Sequence, residues 1–343
     1  MDKDAALLVE ESELGGRRPK GWSRHLLFGL GVAWSLFQLW ATELGTLDPI
    51  RLRAVHLAFA LALAFLAYPG KRGPKDRVPL LDWALALLGA LGALYVVWDY
   101  YGITQIRGGI PSDRDVVMGT LTLLVLFVAS WRVVGPALPI IASVFILYAL
   151  TGPKGLIPYT LPSWLQLHAG SQWGQLMGQL YTTAEGIWGV PLGVSATFVF
   201  LFVLFGALLD KAGAGHFFIQ AAYALLGHFR GGPAKAAVVA SALTGVVSGS
   251  SVSNTVTTGT FTIPLMKRVG YPPEKAGAVE VASSSNGQLM PPVMGAAAFI
   301  MAGAGVLFAV FTLADVLGIG LGDLTQPGLL STYLWDVEVS RAH

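Results

Sequence analysis

The stretch from residue 245 to 298 is rich in glycine and small hydroxyl residues, in a chain that is 54% hydrophobic. Because apolar runs flank this stretch, Asn254, Asn286 and Gln288 are predicted to lie within the membrane. Inside a bilayer, the backbone leaves a regular helix only where protein or a water-filled cavity satisfies its polar groups. A broken polar segment between apolar runs therefore predicts a binding site. The alternative is a surface loop, but charged residues are absent from 245 to 266.

Composition sets the class of the protein. Only 12% of the 343 residues are charged and the mean hydropathy is +0.62, whereas a soluble domain carries about 25% charged residues. Several apolar runs predict a polytopic membrane protein. The net charge of +2 carries little information about partners, and no stretch resembles a basic patch for nucleic acid. The absence of cysteine excludes disulfides, thiolate metal sites and cysteine nucleophiles.

Six apolar spans are predicted, and each is compared with the roughly 20 residues that a membrane helix needs. The second, fourth and fifth are shorter than this length, so the residues at which these spans begin and end are only approximate. The predicted spans are 22–44, 50–68, 79–98, 116–131, 133–150 and 187–209. A further helix at 216–229 is predicted to lie at the membrane interface.

The distribution of Lys and Arg predicts the orientation. These residues concentrate in the first 24 residues and in the loop at 71–77, and fewer lie on the opposite side. The N-terminus is therefore expected in the cytoplasm, with the chain crossing a bacterial inner membrane several times. Tryptophans near the span ends fit an interfacial aromatic belt.

The chain is expected to contain five segments. A cytoplasmic polar tail, disordered at its start, covers 1–24, and a four-span module covers 25–132. A connecting helix and external loop follow at 133–186, then a second membrane module at 187–302 and an atypical tail at 303–343. The external loop carries glutamines and tryptophans that fit either an interfacial helix or a plain linker.

Residues 234 to 266 read as two helical arms that meet at a polar tip. Neither arm is long enough to cross a membrane, so together they predict a re-entrant hairpin. Unwound carbonyls and side-chain oxygens at such a tip can hold a hard cation such as Na⁺, and helix N-termini favour anions. The candidate binding residues at the tip are Ser248, Gly249, Ser250, Ser251, Asn254, Thr257 and Thr258.

The apolar run from 276 to 299 is interrupted in the same way. Glycine and a proline pair disfavour continuous helix at 287–292, which predicts a discontinuous helix whose gap faces the hairpin tip. The candidate binding residues at the gap are Ser283, Ser284, Ser285, Asn286, Gly287, Gln288 and Pro291. Ser250, Asn254 and Asn286 are the Na⁺ candidates.

Glu280 lies one to two turns before this gap. An intramembrane carboxylate is a functional candidate for binding a proton or cation. The alternative places Glu280 at the interface beside Lys275, merely solvated. His216 and His228 lack metal-ligand spacing and are assigned to packing or the interface. No catalytic triad, P-loop or dinucleotide fingerprint is present, so the sequence predicts neither an enzyme nor an ATP-driven pump.

A family resemblance is carried by residues 245 to 302, GVVSGSSVSNTVTTGTFTIPLMKRVGYPPEKAGAVEVASSSNGQLMPPVMGAAAFIMA. This segment closely resembles the large membrane subunit of tripartite ATP-independent periplasmic (TRAP) transporters. It looks most like fused permeases of the 4TM/12TM type, which work with TAXI-type solute-binding proteins. The first five spans fit the fused small subunit plus a connecting helix, though their residues are less distinctive.

The resemblance implies an all-α polytopic fold with an elevator-type transport domain. It further implies a secondary transporter that takes up a small organic anion, usually a carboxylate, from a periplasmic binding protein. An ion gradient drives uptake; the coupling ion is Na⁺ or H⁺, with no other cofactor. The hairpin tip and the broken helix would then line the first cation site and part of the substrate path.

One departure from the family pattern is large. The family has an inverted second half, with a second hairpin and a second broken helix, and no counterpart is visible after Met301. The chain is therefore expected to be truncated or frameshifted near residue 302, and unable to catalyse transport alone. A non-transporting membrane scaffold or assembly subunit is the alternative function. An unrelated channel is a weaker reading, since pore-lining helices would not need two broken elements.

Overall fold

The architecture described here comes from a computed structural model. It describes residues 16–17, 19–43, 45, 47–70, 73–158, 162, 168–248 and 251–289. The regular elements in these ranges are helices, and the β-type pairing within them is an isolated bridge between Thr151 and Ile157. The prediction of an all-α polytopic membrane protein is confirmed.

Five helices of the described chain are long and apolar enough to cross a membrane. Four of them are continuous helices: α1 Trp22–Glu43, α2 Pro49–Ala67, α3 Leu80–Trp98 and α4 Asp113–Val133. The fifth runs from Val190 to Leu209, where helices α7, Val190–Val194, and α8, Phe200–Lys211, flank a π-helical turn at Ser195–Val199. Each agrees with a predicted span to within a few residues.

The predicted fifth span is shorter than expected. Helix α5 covers Ala137–Leu150, only 14 residues, or about 21 Å at 1.5 Å per residue, against a hydrocarbon core of about 30 Å. Gly135 takes a positive φ of 105° and Pro136 follows it, so the helix cannot begin at residue 133. The residues from 133 instead complete the end of α4.

The first four helices pack around a core of leucine, alanine and phenylalanine. Leu61 and Phe65 of α2 are almost fully buried in this cluster, together with Ala93 of α3. A Cβ atom at Gly89 would lie 3.0 Å from both Leu61 and Val125, so glycine permits the close approach of α2, α3 and α4. Large leucines on the outer faces remain exposed, as expected for surfaces that meet lipid.

A buried ion cluster joins the segment before α1 to this helical module. Asp82 in the first turn of α3 pairs with Arg17, and its other oxygen lies 2.6 Å from Nη1 of Arg132. Arg17 also donates to the Phe65 carbonyl at 2.9 Å. Arg17, which lies in the predicted polar tail, is thus 7% exposed and packs against the helical module.

A second charged cluster lies at the other end of α3 and α4. Ser112 and Asp115 form a capping box at the start of α4, and Arg107 lies 2.5 Å from Asp99 and 3.2 Å from Asp115. The hydrogen bond to Asp99 holds the pKa of Arg107 above its usual value. This cluster fixes the short π-helix Gly102–Ile106 between the two helices.

A third polar cluster connects the first module to the long span at 190–209. Gln38 of α1 is fully buried and donates to the Ala196 carbonyl in the π-helical turn. His56 of α2 lies 3.2 Å from both Gln38 Oε1 and Ser195 Oγ. A π-helical turn leaves backbone carbonyls poorly paired, and Gln38 satisfies one of them. Sequence reasoning did not single out these residues.

The loop between the two modules contains some regular structure. Helix α6, Trp173–Met177, continues into a π-helix at Gly178–Thr182, and Trp173 donates to Thr120 of α4 at 2.9 Å. This part packs on the first module rather than forming a plain linker. The other residues of the proposed interfacial helix, Trp164 and Gln166, lie outside the described ranges.

Candidate functional site

Helices α10, Gly232–Ser248, and α11, Ser251–Arg268, form the predicted hairpin. Their antiparallel arrangement follows from two contacts at different depths. Near the tip, Asn254 donates to the Ser241 carbonyl at 2.8 Å, and near the base, Met266 packs in a buried cluster with Ala237. Gly249 and Ser250, which connect the arms, lie outside the described residues. Helix α9, Ala214–Leu226, packs against α10 through Ala222 and Ala240.

The predicted discontinuous helix packs against this hairpin. Helix α12 covers Pro273–Ser284 and changes into a 3₁₀ turn at Ser285–Gln288. The regular α-helix therefore stops inside the serine-rich segment, as predicted. Pro291 and the rest of the predicted element lie outside the described residues.

Glu280 forms the centre of a buried polar cluster between α11 and α12. Its side chain is fully buried and accepts hydrogen bonds from the hydroxyls of Thr258 and Thr262 on α11. Ser284, one turn further along α12, donates to the same carboxylate at 3.0 Å. The alternative of a solvated Glu280 beside Lys275 does not fit this geometry, because Lys275 is exposed and Glu280 is not.

The cluster continues into the hairpin tip. The hydroxyls of Ser284 and Ser241 lie 3.1 Å apart, and the Asn254 amide donates to Ser241 Oγ at 2.9 Å. Both serines and Asn254 are fully buried. A chain of hydrogen bonds thus links Asn254 on α11, through Ser241 on α10 and Ser284 on α12, to Glu280.

One oxygen of this cluster has no hydrogen-bond partner among the described residues. Asn254 Oδ1 is buried and accepts no hydrogen bond from the described part of the chain. A buried carbonyl oxygen left unpaired costs about 1–3 kcal/mol, so a bound ion or water is the expected partner. Thr244 Oγ1 on α10 is also buried without a partner among the described residues.

The 3₁₀ turn meets the hairpin tip through glycine. A Cβ atom on Gly245 would lie 2.7 Å from Gly287 Cα, closer than real side chains approach. The Gln288 amide donates to Ser251 Oγ, at the start of α11, at 3.1 Å. The gap in the broken helix therefore faces the hairpin tip, as the sequence suggested.

The structure brings only some of the predicted residues together. The residues that contact the opposite element or its cluster are Ser251, Asn254, Thr258, Glu280, Ser284, Gly287 and Gln288. Ser283 and Ser285 donate instead to carbonyls of their own helix, and Asn286 is exposed. Thr257 is half-buried, and the side chain of Ser248 lies outside the described part of the chain.

Sequence reasoning missed two members of the cluster. Thr262 follows Thr258 by four residues, so both hydroxyls lie on the same face of α11, and this spacing was a usable signal. Ser241 lies seven residues before Ser248, two turns down α10, among alanines and valines. Nothing local distinguishes it, because its role depends on contacts with α11 and α12.

The cluster contains hydroxyl, amide, carbonyl and carboxylate oxygens. Such oxygens suit a hard cation or a proton. Among the described residues, no group of three or more His, Cys, Asp or Glu side chains could hold a metal ion. The arrangement therefore offers oxygen ligands for a small cation or a proton between α11 and α12.

A comparison with protein-family models matches residues 121–330 to the tripartite ATP-independent periplasmic transporter, DctM component. This match covers more than half of the chain and includes the hairpin and the broken helix. No solved structure matches the chain.

Curated proteins show the same similarity. The chain is 31% identical over 129 residues to the C4-dicarboxylate TRAP transporter large permease protein DctM of Rhodobacter capsulatus, covering 38% of this chain and 29% of that protein. It is 31% identical over 143 residues to the protein YgiK of Salmonella typhimurium, covering 41% and 31%. For the ectoine TRAP transporter large permease protein TeaC of Halomonas elongata, identity is 28% over 146 residues, covering 41% and 34%. The chain thus spans about a third of the length of these relatives.

Proposed function

This chain belongs to the DctM family of tripartite ATP-independent periplasmic transporters, a family of transporters rather than enzymes, and we propose that it acts as a permease component of a secondary transporter. The observation that carries the proposal is the buried polar cluster between the hairpin and the broken helix. Two helical elements that end at membrane depth, with backbone ends and side-chain oxygens facing each other, are the usual form of a substrate and ion site in such transporters.

We propose that the substrate is a small carboxylate delivered by a periplasmic solute-binding protein of the TAXI type. Relatives named for C4-dicarboxylate transport support an organic acid, and the relative named for ectoine shows that the named substrates vary. The N-terminal end of α11, which begins at Ser251, favours an anion there because its first N–H groups lack helical partners. The solute-binding protein, rather than this chain, would then determine which carboxylate is taken up.

A cation site at Asn254 would couple transport to an ion gradient. Asn254 Oδ1 is buried and has no hydrogen-bond partner in the described ranges, and the neighbouring hydroxyls supply further oxygens. Na⁺ accepts such a set of neutral oxygen ligands. Of the other two Na⁺ candidates, Asn286 is exposed on the 3₁₀ turn and Ser250 lies outside the described residues, so Asn254 is the residue on which the sodium proposal rests.

The proposed location is the bacterial inner membrane with the N-terminus in the cytoplasm. The excess of Lys and Arg in the first 24 residues and in the loop after α2 supports this orientation. The cluster of Arg17, Asp82 and Arg132 would then lie at the cytoplasmic end of the first module, and Arg107 at the periplasmic end.

Replacing Asn254 by alanine is expected to remove the stabilisation that Na⁺ gives to the purified chain. A ligand at 100 times its Kd stabilises the folded state by about 2.7 kcal/mol, which is measurable as a rise in unfolding temperature over a matched choline solution. Gln220→Ala is the control, because Gln220 is an exposed amide on α9 whose side chain lies 2.9 Å from the His216 ring nitrogen, away from the cluster. The same Asn254 substitution should abolish ion-driven uptake when placed in a full-length permease that carries this segment.

Equal sodium responses in wild type and Asn254→Ala would contradict the proposed cation site. If the full-length Asn254→Ala permease also retained uptake, the chain would be better explained as a membrane scaffold. Asn286→Ala distinguishes the role of Asn286 from that of Asn254. Because the Asn286 side chain is exposed, its removal should leave the sodium response largely intact.

A further inference from the structure

Within the described part of the chain, the side chain of Glu280 is held by hydroxyl groups alone. Both carboxyl oxygens accept hydrogen bonds, from Thr258 and Ser284 on one side and from Thr262 on the other. A Cβ atom on Gly259 would lie 3.2 Å from Glu280 Cγ, so the backbone of α11 packs closely against the acid. This close packing leaves less room for a coordinated metal ion than for a proton.

No basic side chain in the described part of the chain forms an ion pair with Glu280. Tyr223 on α9 is the titratable group that interacts with it electrostatically, and the Tyr223 hydroxyl donates to the Pro233 carbonyl at 3.4 Å. The charged residues of the helices that pack on Glu280 are all exposed: Lys235, Lys267, Arg268, Glu274 and Lys275. Glu280 is thus a buried carboxyl group whose hydrogen-bond partners in the described part of the chain are neutral hydroxyls.

The two threonines have a second acceptor within reach. Thr258 Oγ1 lies 2.8 Å from the Asn254 carbonyl, and Thr262 Oγ1 lies 3.0 Å from the Thr258 carbonyl. Each hydroxyl carries one hydrogen, so it can donate to the carboxylate or to the carbonyl one turn earlier. When Glu280 is ionised, the hydroxyl hydrogens point to it. When Glu280 takes up a proton from solvent, it becomes a donor to one threonine oxygen, and that threonine donates back to its own helix.

The same change can pass to the hairpin tip. With Glu280 ionised, Ser284 donates to it and accepts from Ser241, which in turn accepts from the Asn254 amide. With Glu280 protonated, Ser284 is free to donate to Ser241 instead. The charge of Glu280 therefore sets the direction of a hydrogen-bond chain that ends at Asn254.

We propose that Glu280 is a proton-binding site that couples proton uptake to the contact between the hairpin and the broken helix. The inference rests on the proposed function, because it names a coupling ion and the residue that binds it. A bound proton removes the charge that draws three hydroxyls from two helices together. Proton binding therefore loosens the attachment of α11 to α12 and alters the electrostatics at Asn254.

Infrared difference spectra recorded between low and high pH on the purified chain test this directly. The wild type should show the carbonyl stretching band of a protonated carboxylic acid that disappears at high pH and is missing from Glu280→Gln. Glu274→Gln is the matched control, because Glu274 is an exposed acid on the same helix and its loss should leave that band in place. Identical spectra from wild type and Glu280→Gln would overturn the proposal.

A second variant keeps the test decisive if Glu280→Gln fails to fold. In Thr258→Val with Thr262→Val, shape is nearly kept and two donors to the carboxylate are lost, so the protonated-acid band should persist to higher pH. An unchanged titration would overturn the proposal. The spectra need no transport, so they separate this inference from the proposed function. An unchanged sodium response and retained uptake in Asn254→Ala would overturn the cation site and leave the proton site standing, and the converse also holds.

Discussion

Replacing Asp82 by alanine should destabilise the folded chain by about 3–5 kcal/mol, the cost typical of leaving a buried charge without its partner. The Asp82 side chain is 5% exposed and holds two arginines; the Arg17 side chain is fully buried, and the Arg132 side chain is 14% exposed. Without the carboxylate, two positive charges face each other in a site that water reaches poorly. The thermal unfolding of the detergent-solubilised protein measures the loss.

Asp76→Ala is the control for this prediction, since Asp76 is an exposed acid in the loop just before α3. It should change the unfolding temperature little. Adding Arg17→Met to Asp82→Ala removes one of the two uncompensated charges and should recover part of the lost stability. The interpretation of a buried ion network is contradicted if Asp82→Ala unfolds at the same temperature as Asp76→Ala.

The membrane helices were predictable because their signal is local. Apolar composition over about 20 residues decides whether a helix can cross a bilayer, and five of the predicted spans match helices of the described chain. The fifth predicted span failed for a reason also present in the sequence: Gly135 and Pro136 interrupt it. The mean hydropathy of an apolar run is almost unchanged by two such residues, although they stop the helix.

Interactions between distant residues were beyond the reach of sequence reasoning. Arg17 lies 65 residues from Asp82, and an arginine in a polar N-terminal segment is expected to be solvated. Ser195, which contacts His56 together with Gln38, lies 139 residues from His56 along the chain. These pairs depend on how helices pack, and the pattern of one segment says nothing about its neighbour.

In the candidate site, too, local features were predictable and contacts between helices were not. Small polar residues at membrane depth predicted the hairpin and the interruption of α12, and the tip residues Ser251 and Asn254 do face the second element. Whether Glu280 was buried or solvated could not be decided, because its burial comes from α11 packing across it. Thr262 and Ser241 entered the cluster through that same packing. The roles of the predicted ion-binding residues stay predictions.

Gly245→Ala should separate the 3₁₀ turn from the hairpin, because the new Cβ would lie 2.7 Å from Gly287 Cα and 3.3 Å from its nitrogen. Both contacts are backbone atoms, so relief requires moving the turn, and overpacking of this kind costs about 1–3 kcal/mol. The Gln288–Ser251 hydrogen bond should be lost with it. In a full-length permease, ion-driven uptake should also fall, since the displaced turn lies against the hairpin tip beside Asn254.

Gly277→Ala makes the identical chemical change on α12, where a Cβ would meet nothing within 4 Å. Alanine is favoured over glycine in a helix by about 1 kcal/mol, so this variant should raise the unfolding temperature while Gly245→Ala lowers it. Opposite signs from the same substitution would isolate the close approach of the hairpin to the broken helix as the cause. If both variants shift the unfolding temperature upward, the two elements are not in contact at Gly245, and the site proposed between them is wrong.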